Sequence, residues 1–165
     1  MRFWFDTEFL EDGRTIDLIS IGIVAEDGRE YYAETSDALW LAESQPTKLT
    51  AWLHENVVPH LKLGTAVKRR PLIAREIVEF VGESPEFWAY YADYDWVVLC
   101  QLYGRMIDLP RGWPMFCRDI KQLAVDLGDP SLPPQISTEH HALEDARWNR
   151  EAYYHLMAVR DGKVT

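Results

Sequence analysis

Residues 2–10 read RFWFDTEFL, an apolar run that carries two carboxylates one residue apart. The run predicts a buried strand over residues 2–6. Charged side chains are costly in a protein core unless something pairs with them. Asp6 and Glu8 therefore lie either at a solvated strand end, without a function, or where a cation is bound.

Two further strands follow and predict a three-stranded antiparallel meander. Residues 15–28, TIDLISIGIVAEDG, are apolar on much of both strand faces, and their closing Asp-Gly pair is a hairpin signal. Residues 29–34, REYYAE, return as the third strand. We expect the first strand to lie inside the sheet.

The remaining chain alternates helical patterns with two more strands, and a Pro-rich connector over residues 128–138 precedes the last helix. This order predicts one α/β domain over residues 1–165, with a mixed five-stranded sheet flanked by helices. We expect strands at 85–95 and 113–120, a loop at 64–71, and helices at 46–61, 71–83, 96–106, 121–128 and 141–161.

Composition limits the classes of function. The net charge of −10 argues against a protein that binds phosphates through an overall positive charge. Bound metal ions or a local basic patch would have to attract a phosphodiester. The dense basic run Lys68-Arg69-Arg70 could steer a strand, although a solvated loop is the simpler interpretation. No apolar run approaches the roughly 18–20 residues of a membrane span. Cys100 and Cys117 are expected to be free thiols in a reducing cytoplasm.

Three acidic segments stand out. They are the Asp6-x-Glu8 pair, residues 91–96 (YADYDW) and residues 139–146 (EHHALEDA). Alternate strand residues face one side, so Asp6 and Glu8 can reach one ion, and carboxylate oxygens suit Mg²⁺ or Mn²⁺. If these segments converge, their carboxylates repel each other unless divalent cations are bound, and a pair of cations is suited to phosphodiester cleavage.

Each segment also has a simpler interpretation when taken alone. The first pair can be a solvated strand end, and a Tyr-Asp pair at a strand-to-helix junction is often a helix N-cap. The third segment can be another cap followed by an ordinary carboxylate on a helix face. Their order along the chain favours a shared site.

The sequence resembles the DEDDh 3′–5′ exonucleases, which include RNase T, oligoribonuclease and bacterial proofreading exonucleases. Its segments WFDTEF, ADYDW and HHALEDA are similar to the three exonuclease motifs of that family. The resemblance implies an RNase H-like fold, two Mg²⁺ ions per active site with Mn²⁺ as a substitute, and His140 as the general base. It implies four metal ligands, namely Asp6, Glu8, Asp95 and Asp145.

Two of these assignments have rivals in the sequence. Asp93 competes with Asp95, although Tyr94-Asp95 fits the second motif better. His141 and Asp145 are spaced to share a helix face, which makes His141 a possible ligand. His140 is favoured as the base because a residue before the helix can approach an attacking water. His141 is then a surface or capping side chain.

Thr7 and Phe9 are the candidate substrate contacts. Many relatives have a small or hydroxylic residue after the first motif, where this chain has Phe9. Phe9 could stack on a base or pack in the core. Trp96 is expected to be a core residue at a helix start.

Within the family, the Asp-Thr-Glu-Phe variant is most similar to the RNase AS group, the polyadenylate-specific exoribonucleases of actinobacteria. That similarity implies single-stranded RNA with adenylate-rich 3′ ends as substrate, and a homodimer. A DNA exonuclease would carry the same metal site, since only a contact to the ribose 2′-hydroxyl distinguishes RNA. A non-catalytic nucleic-acid-binding module is the third hypothesis.

Overall fold

A six-stranded mixed sheet forms the centre of the fold. The computed structural model describes residues 1–163. Its strands are β1 (Arg2–Glu11), β2 (Ile16–Ala25), β3 (Glu30–Thr35), β4 (Val67–Lys68), β5 (Glu86–Ala89) and β6 (Arg118–Asp119). Their order across the sheet is β4-β3-β2-β1-β5-β6, with β1, β2 and β3 antiparallel and the outer pairs parallel.

Helices cover both faces of this sheet. They are α1 (Leu39–Glu43), α2 (Ala51–Asn56), α3 (Arg70–Val81), α4 (Asp93–Gln101), α5 (Ile120–Asp126) and α6 (Ala142–Arg160). Side chains of α3 and α4 share the main core with one face of the sheet, and side chains of α5 and α6 share a second core with the other. The α/β fold with a mixed sheet flanked by helices is therefore confirmed.

Strand β1 lies inside the sheet, between β2 and β5, as the sequence predicted. Phe3 and Phe5 point into the main core, whereas Trp4 points into the core beneath α5 and α6. All three are fully buried. The apolar run has no polar alternation because both faces of the strand are covered.

Several predicted bounds were wrong. Strand β1 continues to Glu11 because β2 pairs with it from Phe3 to Glu11, with a bulge between Glu8 and Phe9. The first two carboxylates thus lie inside a strand rather than at its end. Strand β5 ends at Ala89, so Asp93 and Asp95 lie in the first turn of α4.

The region between β3 and α3 differed most from the prediction. The sheet has six strands rather than five because Val67–Lys68, placed in a loop by the sequence, pairs with β3. The long helix expected at 46–61 is only Ala51–Asn56 followed by a 3₁₀ turn. Pro59 in that turn has no backbone N–H with which to continue the α-helix.

Gly22 on β2 allows α6 to lie directly against the sheet. It is the β2 partner of Asp6, and a Cβ built on it would be 2.4 Å from the backbone C and O atoms of Ala142. Such a distance is shorter than any normal van der Waals contact. The first turn of α6 therefore sits over the strand pair that carries the acidic motif.

A second contact fixes α6 further along its length. The Asn149 Nδ2 group donates a hydrogen bond to the Phe5 carbonyl oxygen at 2.9 Å. Phe5 lies just beyond Trp4, the last residue of β1 that pairs with β5. Since buried carbonyl groups need partners, Asn149 stabilises both the strand and the helix.

We expect Gly22→Ala to lower the free energy of unfolding by about 3 kcal/mol or more, because the contact is with backbone that cannot rotate away. Urea unfolding followed by circular dichroism measures the change. Gly28→Ala is the control, because a Cβ at Gly28 would meet open space. Only the left-handed backbone conformation is unfavourable for alanine there, and we expect it to lower the free energy of unfolding by about 1–2 kcal/mol. Equal stability of the two variants would contradict this role of Gly22.

Candidate active site

Three carboxylates from distant parts of the chain meet above β1. One oxygen each from Asp6, Glu8 and Asp145 lie within 4.8 Å of one another. Asp6 and Glu8 share a face of β1 because they are two residues apart, and Asp145 comes from the first turn of α6. The close approach at Gly22 brings that turn within reach of the strand.

Asp95 lies in the wall of the same cavity but outside this three-residue group. Its Oδ1 atom accepts hydrogen bonds from the Thr7 backbone N–H at 2.8 Å and the Thr7 hydroxyl at 2.6 Å. Asp95 is buried, whereas Asp93 is exposed at the cavity. Of the two candidates, Asp95 is therefore the one fixed against the acidic strand.

The cluster carries strong electrostatic repulsion. Burial, followed by repulsion from the neighbouring carboxylates, raises the pKa of Asp6 well above its usual range. The same causes raise the pKa of Glu8 to about 8. Burial also raises the pKa of Asp95 to about 6, and that of Asp145 above its ordinary value.

The described part of the structure provides no ion pair to offset this repulsion. Across residues 1–163, none of the four carboxylates forms an ion pair with a Lys, Arg or His. Hard oxygen donors with uncompensated charge fit a divalent cation such as Mg²⁺ or Mn²⁺. The donor set therefore agrees with the divalent-metal site expected from the sequence.

Gln135 is a contact that the sequence did not reveal. It lies in the connector before α6, and its Nε2 group donates a hydrogen bond to Asp145 Oδ1 at 2.5 Å. This hydrogen bond partly opposes the rise in the Asp145 pKa. A lone glutamine in a Pro-rich connector has no local pattern that would mark it as part of a site.

The two histidines have different environments. His140 is half-buried in the cavity lining, just before α6, with its ring centroid 4.8 Å from that of Trp52. His141 is the N-cap of α6, where its Nδ1 accepts a hydrogen bond from the Glu144 N–H at 3.4 Å. Its ring stacks on Tyr32 with 4.7 Å between centroids. The capping interpretation of His141 is confirmed.

Aromatic rings form much of the remaining cavity wall. The cavity has a volume of about 810 Å³ and contains the rings of Phe9, Tyr90, Tyr91, Tyr94 and Trp148. Phe9 packs against the main core and also meets Tyr94, with 5.8 Å between ring centroids. Phe9 therefore makes the core contact that the sequence allowed and also lies in the cavity lining, and its stacking on a base stays a prediction. Trp96 is buried in the main core, as expected.

The other side chains singled out in the sequence lie away from this cavity. Lys68 pairs with Glu76 at 2.6 Å, and Arg70 pairs with Asp37 at 2.8 Å, so the basic run is largely neutralised. Cys100 and Cys117 are free thiols. Over the described part of the chain, no helix combines the length and the apolar composition needed to cross a bilayer.

Comparison with known sequences identifies the relatives of the chain. The model of the Rv2179c-like 3′-5′ exoribonuclease domain matches residues 1–157. The 3′-5′ exoribonuclease Rv2179c of Mycobacterium tuberculosis strain H37Rv is 44% identical over 153 residues, which cover 89% of this chain and 88% of that protein. The 3′-5′ exoribonuclease MT2234.1 of strain CDC 1551 matches to the same extent.

Solved structures show the same fold. Escherichia coli exonuclease I in complex with single-stranded DNA superposes with a TM-score of 0.66 at 11% identity, over 98% of this chain and 41% of that one. Exonuclease I of Methylocaldum szegediense gives 0.65 at 16% identity with the same coverage. The chain thus spans about two fifths of these proteins, and at such identities the likeness establishes the RNase H-like fold.

The family model covers nearly the whole chain, and the mycobacterial relatives match it at 44% identity across most of their own length. The acidic cavity lies inside that matched region. On this basis the chain belongs to the Rv2179c-like 3′-5′ exoribonuclease domain family.

Proposed function

We propose that this chain is a metal-dependent 3′-5′ exoribonuclease of the DEDDh type. It would remove nucleoside 5′-monophosphates one at a time from the 3′ end of single-stranded RNA. The observation that carries the proposal is the convergence of three carboxylates within 4.8 Å, with no cationic side chain paired to them in residues 1–163. Family membership supports the class of reaction.

Asp6, Glu8 and Asp145 would hold one divalent cation, and Asp6 and Asp95 would contribute to the site of a second. Mg²⁺ is the proposed ion, with Mn²⁺ able to replace it. When bound, the two ions would supply positive charge to the scissile phosphate and to the oxygens that attack and leave. The raised pKa values of the carboxyls fit this role, since a bound cation favours their ionised form.

His140 is the proposed general base. Its imidazole lies in the cavity wall beside the carboxylates, and its backbone precedes the helix, with φ at 61°. In the neutral form it would take a proton from the water that attacks the terminal phosphodiester. The bond between phosphorus and the 3′ oxygen of the preceding nucleotide then breaks. One nucleotide leaves with a 5′-phosphate, and the shortened strand keeps a 3′-hydroxyl.

The remaining residues of the cavity would orient the reacting groups. Thr7 holds Asp95 through two hydrogen bonds, and Gln135 holds Asp145 through one. Phe9 would stack on a base of the substrate. A direct contact between Thr7 and the substrate stays a prediction, because its hydroxyl already donates to Asp95.

We further propose that adenylate-rich 3′ ends are preferred, that residues 1–165 act as one exonuclease domain, and that two copies form a homodimer. The Asp-Thr-Glu-Phe motif supports the base preference and the dimer by its similarity to the RNase AS group.

The free thiols favour a reducing compartment such as the cytoplasm. A DNA exonuclease is the second candidate, because the fold is shared with an exonuclease I that was solved with single-stranded DNA.

Digestion of matched homopolymers separates these candidates. We expect 5′-labelled oligoadenylate to be shortened stepwise from its 3′ end in Mg²⁺, faster than oligouridylate and much faster than oligodeoxyadenylate. Denaturing gels would show the ladder. Faster digestion of the DNA would favour the second candidate, and no digestion of any polymer would contradict nuclease function altogether.

Substitution of the ligands and of the base tests the proposed roles. We expect His140→Ala to reduce kcat by about 10²–10⁴-fold through loss of proton transfer. Asp6→Ala and Asp95→Asn should remove most activity, because each takes away a metal ligand. Asp93→Asn is the matched control, since this exposed carboxylate is two residues from Asp95 and should be dispensable. Full activity of both Asp6→Ala and His140→Ala would refute the mechanism.

The raised pKa values predict how stability depends on pH. Each carboxyl is protonated more readily in the folded state than in the unfolded chain. The destabilisation from its charge is therefore absent at low pH, grows as the pH rises above the ordinary carboxyl pKa, and is complete above the raised pKa, about 8 for Glu8. We expect the melting temperature in EDTA to fall between pH 5 and pH 8. Added Mg²⁺ should restore it most strongly near pH 8.

The variant Asp6→Asn provides the control for this experiment. With one charge removed, its melting temperature in EDTA should fall less with pH and respond less to Mg²⁺. Asp93→Asn should behave like the parent protein. A parent protein whose melting temperature is the same with and without Mg²⁺ at every pH would contradict the assignment of the cluster.

Gln135→Ala tests the hydrogen bond to Asp145. Loss of a partner that orients a metal ligand typically weakens metal binding by about 10–100-fold, and we expect a loss in that range when Mn²⁺ binding is titrated by calorimetry. Gln122→Ala is the matched control, because Gln122 donates a similar hydrogen bond to Asp126 on the exposed side of α5, at 3.0 Å. Equal Mn²⁺ affinity of the two variants would contradict the role of Gln135.

A further inference from the structure

Tyr91 combines a strained backbone with an exposed ring. Its φ is 54°, in the left-handed region, and 63% of its surface is exposed to solvent. A bulky residue in that region is strained, and strain of this kind is concentrated at functional sites. Burial of the ring would normally offset the strain, but here the ring is largely in solvent.

The turn around Tyr91 is fixed by its neighbours. Strand β5 ends at Ala89 and α4 begins at Asp93, so only three residues connect them. Within this turn, the buried Ala92 donates its N–H to Asp119 Oδ2 at 2.8 Å. Glycine or asparagine would adopt the same backbone conformation at lower cost. The fold therefore requires the turn, but it does not require an aromatic ring there.

Two further aromatic side chains support the Tyr91 ring. It meets Tyr90 edge-on, with 4.7 Å between the centroids, and Tyr90 in turn meets Trp148 with 5.0 Å between centroids. All three rings line the cavity that holds the carboxylates. A row of aromatic contacts thus ends at Tyr91 and leaves most of that ring accessible.

Charge cannot hold a nucleic acid strand in this cavity. Among the described residues, six acidic side chains line the cavity, and no Lys or Arg does. The six are Asp6, Glu8, Asp93, Asp95, Glu139 and Asp145. Cations in the site would hold the reacting phosphate, but the neighbouring nucleotides need another attraction. Stacking of bases on aromatic rings provides one that does not depend on charge.

We infer that Tyr91 is a stacking platform for one of the two bases at the 3′ end of the substrate. This inference rests on the proposed function and adds a specific substrate contact to it. The left-handed turn presents the ring to the cavity, and Tyr90 and Trp148 restrain it. Phe9 with Tyr94 forms a separate aromatic pair in the same lining.

Binding of an intact strand tests the inference without turnover. In a His140→Ala background with Mg²⁺, fluorescence anisotropy of 5′-labelled oligoadenylate gives the Kd. Tyr91→Asn removes the ring and keeps a residue suited to the turn, and we expect it to weaken binding by about 5-fold or more. Tyr91→Phe and Tyr91→Trp keep a ring and should bind like the parent. Tyr154→Asn, at an exposed tyrosine outside this cavity, should have no effect.

Abasic oligomers distinguish stacking from a general loss of structure. One oligomer lacks the last base and another lacks the next-to-last base. If the ring stacks on one of these bases, Tyr91→Asn should weaken binding of the intact oligomer but should not weaken binding of the oligomer that lacks the stacked base. The same loss of affinity for the intact strand and for both abasic strands would overturn the inference. So would a Tyr91→Asn variant with the parent Kd for the intact strand.

Two more readouts separate this inference from other failures. Tyr91→Asn should melt at or above the temperature of the parent, because asparagine relieves the backbone strain, and a large drop would instead give Tyr91 a structural role and overturn the inference. Digestion of RNA by the unsubstituted protein is measured separately. If digestion occurs and Tyr91→Asn binds like its parent, only the stacking role fails. If no RNA is digested, the proposed function fails.

Discussion

The close contact between Gly22 and the first turn of α6 is the constraint on which the site depends. A side chain at this position would overlap the backbone of Ala142. Because none is present, Asp145 comes within 4.8 Å of the carboxylates on β1. The same approach sets His141 against Tyr32 and leaves His140 in the cavity wall. A residue with no side chain thus determines where the chemically active side chains meet.

The site places unfavourable charge inside a well-packed protein. Burial and mutual repulsion raise the pKa values of the four carboxyls, which is a destabilising contribution at neutral pH. The apolar residues of β1, which are covered on both faces, provide the offsetting stability. In our proposal, cations neutralise the cluster and aromatic rings hold the bases, so a chain with a net charge of −10 can bind a polyanion.

Local patterns predicted part of this structure, and non-local contacts account for the rest. The meander, the buried inner strand and the shared face of Asp6 and Glu8 follow from the spacing of residues a few positions apart. The full length of β1, the two-residue β4 and the place of Asp95 in a helix depend on pairing between distant segments. The contact of Gln135 with Asp145 and the left-handed turn at Tyr91 likewise leave no periodic signal in the sequence.

The most direct test of a cation site built by α6 and β1 is a crystal structure grown with Mn²⁺, with anomalous differences recorded for the metal. We expect an anomalous peak bounded by carboxylate oxygens of Asp6, Glu8 and Asp145, with a second near Asp95. The peaks should disappear from crystals of Asp145→Asn. Absence of Mn²⁺ from the cluster in the unsubstituted protein, or a peak only at surface carboxylates, would contradict a metal-dependent mechanism at this site.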